Sequence, residues 1–523
     1  MSAVAAAEIE REDKYDVDGS FQMPDLSDLV PDRGSVEVDT RRLRNVYFDT
    51  DQGDLLRNRV TLRRRYGGPD EGWHAKLPAA KGARTEVRLP SDEARRPPRE
   101  LLDLTTGLRR GRPVRRSAVL NTERRAYRLL DADATVLVEV ADDTVRAAAG
   151  GNSAAVSQWR EVEVELGAGE EELLAVIGRR LRDAGATPAG HSSKLARALA
   201  SADGLGPTDG SGSSGSSGSA GSAGSAGSAG SSAEAGSSDN GGQSAGSVVL
   251  AYLAQQRDAV IAGDLGLRRG ADVVHPTRVG IRRSRSTLRT FGSLFDADQA
   301  AALDAELRWY AATLGEVRDR AVLRARMSTA LSELPDATRL GRVGADIDEH
   351  LLSESARHGE ALGRALNGRR YLALLDELDR WITEPPFTED AAKKPKHIAR
   401  LVARAERKLA RRLTTALETD DDHALHAARK AGKRARYAAE LAVPVIGEAK
   451  AERLITRYTA LQDALGEHQD SVVAAELLLR LGRSAGTRPG ENGFSYGVLY
   501  AGELQRRQAS RDRAAELARQ LVG

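Results

Sequence analysis

Two patterns of hydrophobic and polar residues divide this chain. Up to about residue 200, short segments such as VTLRRR, TVLVEV and WREVEVEL alternate polar and apolar residues with a period of two. This period is typical of β-strands with one buried face. From Ser247 onward, apolar residues recur at i, i+3 and i+4, which is the spacing of amphipathic helices. The pattern therefore predicts a first region rich in strands and a second region that is all helical.

A long polar stretch separates the two regions. Residues 208–246 read TDGSGSSGSSGSAGSAGSAGSAGSSAEAGSSDNGGQSAG, with almost no apolar side chain to bury. Gly/Ser/Ala stretches of this kind behave as flexible coils. We expect a domain over residues 1–205, a linker over 206–247 and a helical domain over 248–523.

The second region contains an internal repeat. VHPTRVGIRRSR contains His275 and LHAARKAGKRAR contains His426, which is an offset of 151 residues (426 − 275). The words LGEVRD and LGEHQD stand at the same offset (465 − 314). Two separate matches at one offset predict two similar helical bundles, over about 248–385 and 390–523.

Bulk properties exclude several classes of protein. At 523 residues the chain exceeds one ordinary core, so we expect two or three domains. It has no cysteine, which excludes disulfides, thiolate metal sites and a cysteine nucleophile. We see no membrane span, because no apolar run reaches about 18 residues, and the start MSAVAAAEIERED lacks the features of a signal peptide. A cytoplasmic protein is the simplest interpretation.

The polar positions of the predicted strands are charged. In EREDKYDV, the side chains of Glu10, Glu12 and Lys14 fall on one face, and Glu8 shares their parity, which leaves the functional register ambiguous. The same alternation recurs along the first region in Arg63 and Arg65, His74 and Lys76, Arg84, Glu86 and Arg88, Glu139 and Asp143, and Glu161, Glu163 and Glu165.

These strands have two interpretations. An ordinary antiparallel sheet with a solvated charged face explains any one of them. The recurrence in six strands favours charged faces that line one shared cavity. Acids gathered there would repel one another, and a hard divalent cation such as Mg²⁺ or Mn²⁺ would relieve the repulsion. The arginines and lysines would hold a polyanion, because guanidinium groups match phosphate oxygens.

The ordered motifs of the first region resemble the CYTH family, the triphosphate tunnel metalloenzymes. The family hallmark Glu-x-Glu-x-Lys is matched by residues 10–14. Further matching words are YFDT (47–50), LRRR (62–65), the KLP around Lys76, RTEVR (84–88), ADDTV (141–145), EVEVEL (161–166) and SKLARAL (193–199). The resemblance implies a closed eight-stranded antiparallel tunnel that binds triphosphate compounds together with a divalent metal.

By position, the resemblance also implies roles for individual residues. The catalytic set is Glu10, Glu12, Lys14, Glu163 and Glu165. The implied metal ligands are Glu10, Glu12, Asp143, Glu163 and Glu165. The implied substrate ligands are Lys14, Arg63, Arg65, Lys76, Arg84, Arg125 and Lys194, with Arg125 chosen over Arg124 on strand parity. Metal-assisted phosphoryl transfer requires no nucleophilic side chain, which agrees with the missing cysteine.

Basic stripes mark three helices of the second region. One helix face carries His275, Arg278, Arg282, Arg285 and Arg289. The second copy of the repeat and the segment KHIARLVARAERKLARR also place their basic residues on one helix face. A solvated face is the alternative, although such faces usually intersperse glutamates. Nucleic acid ranks lower as a partner, because aromatic residues for base stacking are scarce in these helices.

The second region resembles the CHAD domain, a conserved-histidine α-helical domain often attached to CYTH domains. The matching words are VHPTRVGIRRSRSTLRTF (274–291), LGEVRDRAVL (314–323), LHAARKAGKRARYAAE (425–440) and LQDALGEHQD (461–470). The resemblance implies two pseudo-symmetric four-helix bundles with a basic groove for inorganic polyphosphate. The predicted groove residues are His275, Arg278, Arg282, Arg285, His426, Arg429, Lys433 and Arg436, with Arg400 and Arg404 from the third basic stripe. Gln469 stands where the first copy has Arg318, so the halves need not contribute equally.

Both regions point to one class of ligand. We expect a multidomain α+β protein whose eight-stranded tunnel hydrolyses inorganic triphosphate or short-chain polyphosphate with Mg²⁺ or Mn²⁺, and whose helical domain binds polyphosphate. A non-catalytic polyphosphate-binding or granule-associated protein is the alternative. An adenylate cyclase or an organic triphosphatase ranks below both. Nothing in the sequence identifies a protein partner or a membrane partner.

Overall fold

The computed structural model describes residues 7–78, 84–90, 95–149, 155–202, 243–419, 421–487 and 492–522. The chain divides into two compact units, Met1–Ala235 and Gly236–Gly523. Most of the predicted linker falls on residues 203–242, which lie outside the described ranges. The first helix of the second unit begins at Ala245, three residues before the predicted start of the helical domain.

Within the described ranges of the first unit, ten strands form one antiparallel sheet. In chain order they are β1 Ala7–Glu10, β2 Glu12–Val17, β3 Ser35–Asp49, β4 Thr61–Tyr66, β5 Gly72–Pro78, β6 Arg84–Pro90, β7 Arg115–Leu130, β8 Val136–Ala149, β9 Ala155–Leu166 and β10 Thr187–Pro188. Their order in the sheet is β1-β6-β5-β4-β3-β7-β8-β9-β2-β10.

Strands β1 and β2 are two pieces of one extended segment, interrupted only at Arg11. The first piece pairs with β6 and the second with β9, so a single segment borders both ends of the sheet. If β1 and β2 are counted as one strand and the two-residue β10 is left out, the sheet has the eight strands that the sequence predicts (10 − 1 − 1). The sequence predicts a closed tunnel, and this prediction is corrected. The sheet is not closed, because its terminal strands β1 and β10 do not pair with each other.

In the part of the first unit that the structure describes, four α-helices accompany the sheet: α1 Asp54–Arg57, α2 Arg99–Leu104, α3 Glu171–Asp183 and α4 Lys194–Ala202. On α3, Ile177 and Leu181 pack against Val162 and Val164 of β9, which buries the apolar face of WREVEVEL. Because side chains alternate along a strand, the glutamates of β9 must lie on its opposite face. The sequence alternation therefore sets which side of the sheet is charged.

The described residues of the second unit form ten α-helices. They are α5 Ala245–Arg268, α6 Val274–Thr290, α7 Ala297–Glu333, α8 Val343–Leu366, α9 Arg369–Thr383, α10 Lys396–Thr419, α11 Asp422–Leu441, α12 Val443–Ile446, α13 Glu448–Ala485 and α14 Phe494–Val522. The repeated words occupy equivalent helices, with the histidine motifs on α6 and α11 and the LGE motifs on α7 and α13. One apolar cluster combines residues of α7 and α8 with residues of α13 and α14, so the two halves share a core.

Close helix packing is visible where α5 crosses α6. A Cβ added at Gly263 of α5 would lie 2.1 Å from Oγ1 of Thr277 on α6, so only glycine fits there without a shift of its neighbour. Thr277 is itself buried and donates its hydroxyl hydrogen to the carbonyl of Val273 at 2.7 Å. Within the described ranges, no helix combines the length and apolarity that a bilayer crossing requires.

Candidate functional site

The inner face of the first-unit sheet encloses a cavity of about 280 Å³ lined by charged side chains. Its acidic lining residues are Glu10, Glu12, Asp70, Glu86, Glu139, Asp143, Glu163 and Glu165. Its basic lining residues are Lys14, Arg41, Arg63, Arg65, Lys76, Arg84, Arg88, Arg124 and Lys194. Eight acids and nine bases leave the lining close to neutral.

Strand pairing explains why residues from both ends of the first region meet. Glu10 of β1 is paired with Arg84 of β6, while Glu12 of β2 is paired with Glu165 of β9. Lys14 lies opposite Glu163 in the same ladder. Paired residues of neighbouring strands share a face of the sheet, so the Glu-x-Glu-x-Lys segment and the glutamates of β9 turn to the same side.

Each carboxylate of this segment already contacts a lysine. Nζ of Lys76 lies 2.6 Å from Oε2 of Glu10. Nζ of Lys14 donates to Oε2 of Glu12 at 2.9 Å and also contacts Glu163. The sequence led us to expect acids that repel one another in an empty cavity, and this expectation was wrong. The acids and bases interleave, so Glu10 and Glu12 each lie beside a lysine.

A second cluster of ion pairs surrounds Asp143, which is fully buried. Arg124 donates to both of its carboxylate oxygens, at 2.8 and 2.7 Å, and to Oε2 of Glu163 at 3.0 Å. Nζ of Lys194, from the first turn of α4, lies 3.0 Å from Asp143 and 2.7 Å from both Glu161 and Glu163. Since both oxygens of Asp143 are engaged, the geometry favours Asp143 as a residue that holds Arg124 and Lys194 in place.

Glu86, which sequence analysis left without a role, joins three strands. Nη2 of Arg63 donates to its Oε1 at 3.2 Å, and Nδ1 of His74 lies 3.0 Å from the same oxygen. Nε2 of His74 faces the carbonyl of Asp70 at 2.7 Å, and the Asp70 carboxylate contacts Arg65. His74 and Glu86 are each 1% exposed. Of the predicted phosphate ligands, Arg63 is thus held by a buried carboxylate and Arg65 by the half-buried carboxylate of Asp70.

One predicted position requires correction. Arg124 rather than Arg125 lines the cavity. On β7, Arg124 is paired with the buried Asp143 of β8, whereas Arg125 is paired with Asp142 on the opposite face. Arg125 is exposed, and its guanidinium lies 5.2 Å from the ring centre of Tyr127. The parity chosen from the sequence was one residue out of register.

Further cavity residues received no site role in the sequence analysis. They are Arg41, Leu43, Asn45, Tyr47, Thr61, Asp70, Glu86, Arg88, Thr122, Glu139 and Ser193. Glu86, Arg88 and Glu139 carry the alternating signal that located their neighbours, and Tyr47 stands inside the YFDT word. The remaining cavity carboxylate, Asp70, lies in the turn between β4 and β5, where no strand period could indicate it.

Burial changes the acidity of the cavity carboxylates. Burial and the nearby carboxylates of Glu86 and Glu165 raise the pKa of Glu10 to about 7, although Lys76 acts against this shift. Burial likewise raises the pKa of Glu165, which forms neither a hydrogen bond nor an ion pair with the described residues. Burial would also raise the pKa of Glu12, but Lys14 outweighs it and the net pKa is lowered. Glu10 and Glu165 are therefore incompletely neutralised by protein cations.

A divalent cation fits this donor set. Oxygen ligands are the ones that Mg²⁺ and Mn²⁺ prefer, and a cation beside Glu10 and Glu165 would supply the missing positive charge. Among the residues that the structure describes, no group of three or more His, Asp or Glu side chains is already gathered as a metal site. The carboxylates would have to release Lys14 and Lys76 to bind a metal together.

The second unit has a basic cluster between α6, α7 and α11. Burial and the surrounding cations Arg429, Arg282 and Arg278 lower the pKa of Lys433 to about 7. Burial together with Arg282, Arg318 and Arg278 lowers the pKa of His275. The Nε atoms of Arg282, Arg318 and Arg429 are buried and have no hydrogen-bond partner among the described residues. We call Arg278, Arg282, Arg318, Arg429 and Lys433 the central cluster.

The two copies of the repeat differ in how their arginines are held. Nη1 of Arg278 lies 2.6 Å from Oδ1 of Asp319, and its Nη2 would lie 3.3 Å from a Cβ added at Gly315. The equivalent Arg429 forms no such ion pair with a described residue. The side chain of His426 forms a hydrogen bond with the side chain of Gln469, whereas the corresponding His275 lies near the charged Arg318. The substitution at Gln469 thus changes the surroundings of one histidine.

The remaining predicted groove residues lie around this cluster. Arg285 is paired with Asp304 at 3.0 Å, and Arg436 with Glu440 at 3.1 Å, so each is already bound by an acid. Arg400 and Arg404 are exposed on α10.

Comparison with known proteins agrees with this architecture. The CYTH domain model matches residues 8–198 and the CHAD domain model matches residues 251–479. The uncharacterized protein Rv2226 of Mycobacterium tuberculosis is 33% identical over 539 residues, which cover 99% of this chain and 97% of that protein. The chain belongs to the family of proteins that join a CYTH domain to a CHAD domain.

Solved structures similar to this chain include PptA from Streptomyces chartreusis. It is 25% identical, its alignment covers 53% of this chain and 100% of PptA, and the TM-score is 0.46. The CHAD domain from the plant Ricinus communis is 24% identical over 53% of this chain and 92% of its own, with a TM-score of 0.44. CYTH domains are known for triphosphatase and cyclase activity and typically use divalent metals. The charged cavity therefore belongs to the CYTH domain and the central cluster to the CHAD domain.

Proposed function

We propose that the CYTH domain hydrolyses inorganic triphosphate or short-chain polyphosphate with a divalent metal, and that the CHAD domain binds polyphosphate. The observation that carries the proposal for the CYTH domain is the cavity itself. Nine basic side chains from six strands and α4 converge on about 280 Å³, beside carboxylates that are incompletely neutralised. A linear triphosphate with a divalent cation supplies both kinds of missing partner.

Glu10, Glu12, Glu163 and Glu165 would hold the cation, either Mg²⁺ or Mn²⁺. When bound, the metal neutralises phosphate charge and activates a water for attack on phosphorus. The lysines of the cavity then change partners. Lys14 and Lys76 leave their carboxylates and turn to phosphate oxygens, so that the substrate is held by charge-assisted hydrogen bonds.

The arginines orient the substrate chain. Arg63 and Arg65 are fixed from behind by Glu86 and Asp70, and Arg124 is fixed by Asp143. Arg84 donates to the carbonyl of Ser192 at 2.7 Å, which keeps its guanidinium at the cavity. Guanidinium groups held in this way cost little reorganisation when charge develops on the transferred phosphoryl group. Arg125 has no part in this arrangement, because it faces outward.

Phosphate release from tripolyphosphate with Mg²⁺ or Mn²⁺ tests the hydrolase proposal. We expect release by the parent protein and a loss of at least 100-fold in Glu10→Gln/Glu12→Gln, the order of effect when positioned charge is removed from an active site. Asp13→Asn, an exposed neighbour on β2, is the matched control and should release phosphate normally. If the parent releases nothing with any divalent ion but still binds tripolyphosphate, the protein is a binder rather than a hydrolase.

A substrate panel distinguishes the finer alternatives. Thiamine triphosphate and nucleoside triphosphates carry the same terminal phosphates as tripolyphosphate. Faster turnover of one of them would make the protein an organic triphosphatase. Formation of a cyclic nucleotide from ATP would make it a cyclase.

The central cluster carries the proposal for the CHAD domain. Burial and the neighbouring cations lower the pKa of Lys433 to about 7, and a bound polyanion would relieve the repulsion among these cations. We expect the parent to bind long-chain polyphosphate with an affinity that falls steeply with salt. Arg282→Gln/Lys433→Gln should lose this binding, while Arg364→Gln/Arg513→Gln, which removes two exposed arginines on α8 and α14, should keep it. Equal loss in both variants would contradict the assignment.

A further inference from the structure

A second basic cavity lies in the helical unit, apart from the central cluster. It has a volume of about 210 Å³ and is formed by the C-terminal end of α6 with α10 and α11. Its cationic lining residues are Arg289, Arg404, Lys408 and Arg434, and two hydroxyl-bearing residues, Thr290 and Ser293, line it with them. We call this cavity the distal pocket. Of its residues, only Arg404 was assigned a role from the sequence.

Three of the four cations of the distal pocket form no ion pair with a described carboxylate. Arg289 is paired with Asp304 at 2.6 Å, but within the described ranges Arg404, Lys408 and Arg434 form no ion pair with any carboxylate. Arg434 and burial lower the pKa of Lys408, and burial with Arg289 lowers the pKa of Arg434. An anion between these like charges would relieve their repulsion.

An unsatisfied hydroxyl points to the same conclusion. Oγ1 of Thr290 is buried and has no hydrogen-bond partner among the described residues, although it lies at the wall of the cavity. A buried hydroxyl without a partner costs free energy, and an anionic oxygen would accept its hydrogen bond. Hydroxyl and guanidinium donors converging on one small cavity suit a phosphate group.

The distal pocket stands at the far end of the basic stripe of α6. His275, Arg282 and Arg289 are spaced by seven residues, which places them on one helix face. His275 and Arg289 are fourteen residues apart, or about 21 Å along the helix axis. A triphosphate is too short to cover that distance, whereas a long chain can contact both ends.

We propose that the distal pocket is a second phosphate-binding site, which engages only those polyphosphate chains long enough to reach it from the central cluster. The inference rests on polyphosphate binding by the CHAD domain and adds a selection for chain length. One chain that occupies both sites binds more tightly than either site alone, because the second contact becomes intramolecular. Short chains bound at the central cluster gain nothing from it.

The test compares two double variants of the full chain, in EDTA, with tripolyphosphate and with long-chain polyphosphate. Arg404→Gln/Lys408→Gln should bind tripolyphosphate like the parent. Its affinity for the long chain should fall about tenfold at low salt, and two lost phosphate contacts should reduce the salt dependence of binding by about two units of slope. Arg364→Gln/Arg513→Gln removes the same charge at a distance and should match the parent with both ligands.

The outcomes separate this inference from the function on which it rests. If the parent fails to bind long-chain polyphosphate, the proposed function of the CHAD domain falls and this site falls with it. A second outcome is that the parent binds long-chain polyphosphate and Arg282→Gln/Lys433→Gln does not. If Arg404→Gln/Lys408→Gln then binds the long chain as the parent does, only the distal pocket is refuted. Equal weakening for both chain lengths, or weakening in the distant control, also overturns it.

Discussion

Replacing Lys433 by methionine should stabilise the helical unit while weakening polyphosphate binding. Methionine keeps the length and the apolar stem of the lysine but removes its charge. In the folded protein, burial and the charges of Arg429, Arg282 and Arg278 lower the pKa of Lys433 from 10.5 to about 7. At about 1.36 kcal/mol per pKa unit, this shift sets an upper limit of about 5 kcal/mol on the free energy spent to keep the lysine charged. Counter-ions and relaxation reduce it, and we expect about 1–2 kcal/mol.

The sign of the effect depends on pH. Since the folded state has the lower pKa, the unfolded chain binds the additional proton between about pH 7 and 10.5. The penalty is therefore full below about pH 7 and disappears as pH rises toward 10.5. Lys433→Met should gain most at pH 6 and less at pH 9.

Thermal unfolding followed by far-ultraviolet circular dichroism measures this difference. A gain of 1–2 kcal/mol corresponds to a rise of roughly 2–8 °C in midpoint at pH 6 for a unit of this size. Lys430→Met, an exposed lysine on the same helix, is the control and should leave the midpoint unchanged. Long-chain polyphosphate should raise the midpoint of the parent more than that of Lys433→Met. Destabilisation by Lys433→Met at pH 6, or an equal gain at both pH values, would refute the reasoning.

Three further predictions concern other parts of the molecule. Arg124→Gln should lower tripolyphosphate turnover by at least tenfold, whereas Arg125→Gln should have no effect; a loss in the second variant would show that β7 presents its other face to the cavity. Because the pKa of Glu10 is raised to about 7, metal binding there must release a proton below that pH, so calorimetry in buffers of different ionisation enthalpy should show proton release and weaker binding as pH falls from 7 to 5. A binding enthalpy independent of the buffer would exclude Glu10 as a ligand. Gly263→Ala should cost about 1–3 kcal/mol through its contact with Thr277, and Thr277→Ala should recover part of that loss in a double-mutant cycle, where simple additivity would argue against the contact.

The architecture followed from residue periodicity wherever one face of an element is buried. Val162 and Val164 pack under α3, so the alternation in β9 alone places Glu161, Glu163 and Glu165 on the inner face. The strand alternation failed at Arg124 and Arg125, where two arginines stand side by side and either could face inward. Only the pairing of Arg124 with Asp143 across the β7–β8 ladder settles the register.

Partners across the cavity could not be predicted, because they depend on which strands are neighbours. Lys76 of β5 contacts Glu10 of β1 because β6 lies between these two strands in the sheet, and the sequence gives no indication of that strand order. The distal pocket was missed for a related reason. Arg434 lies off the basic stripe of α11, and it meets Lys408 only through the packing of α10.

The interleaved acids and bases of the CYTH cavity would have a consequence for the proposed turnover. Any phosphate that enters must compete with internal carboxylates for Lys14, Lys76 and the arginines. On the proposed function, a triphosphate with its metal would displace these carboxylates because its charge is concentrated, and after cleavage that charge would be divided between two smaller anions. The carboxylates would then re-form ion pairs with the lysines, and this would favour release of the products.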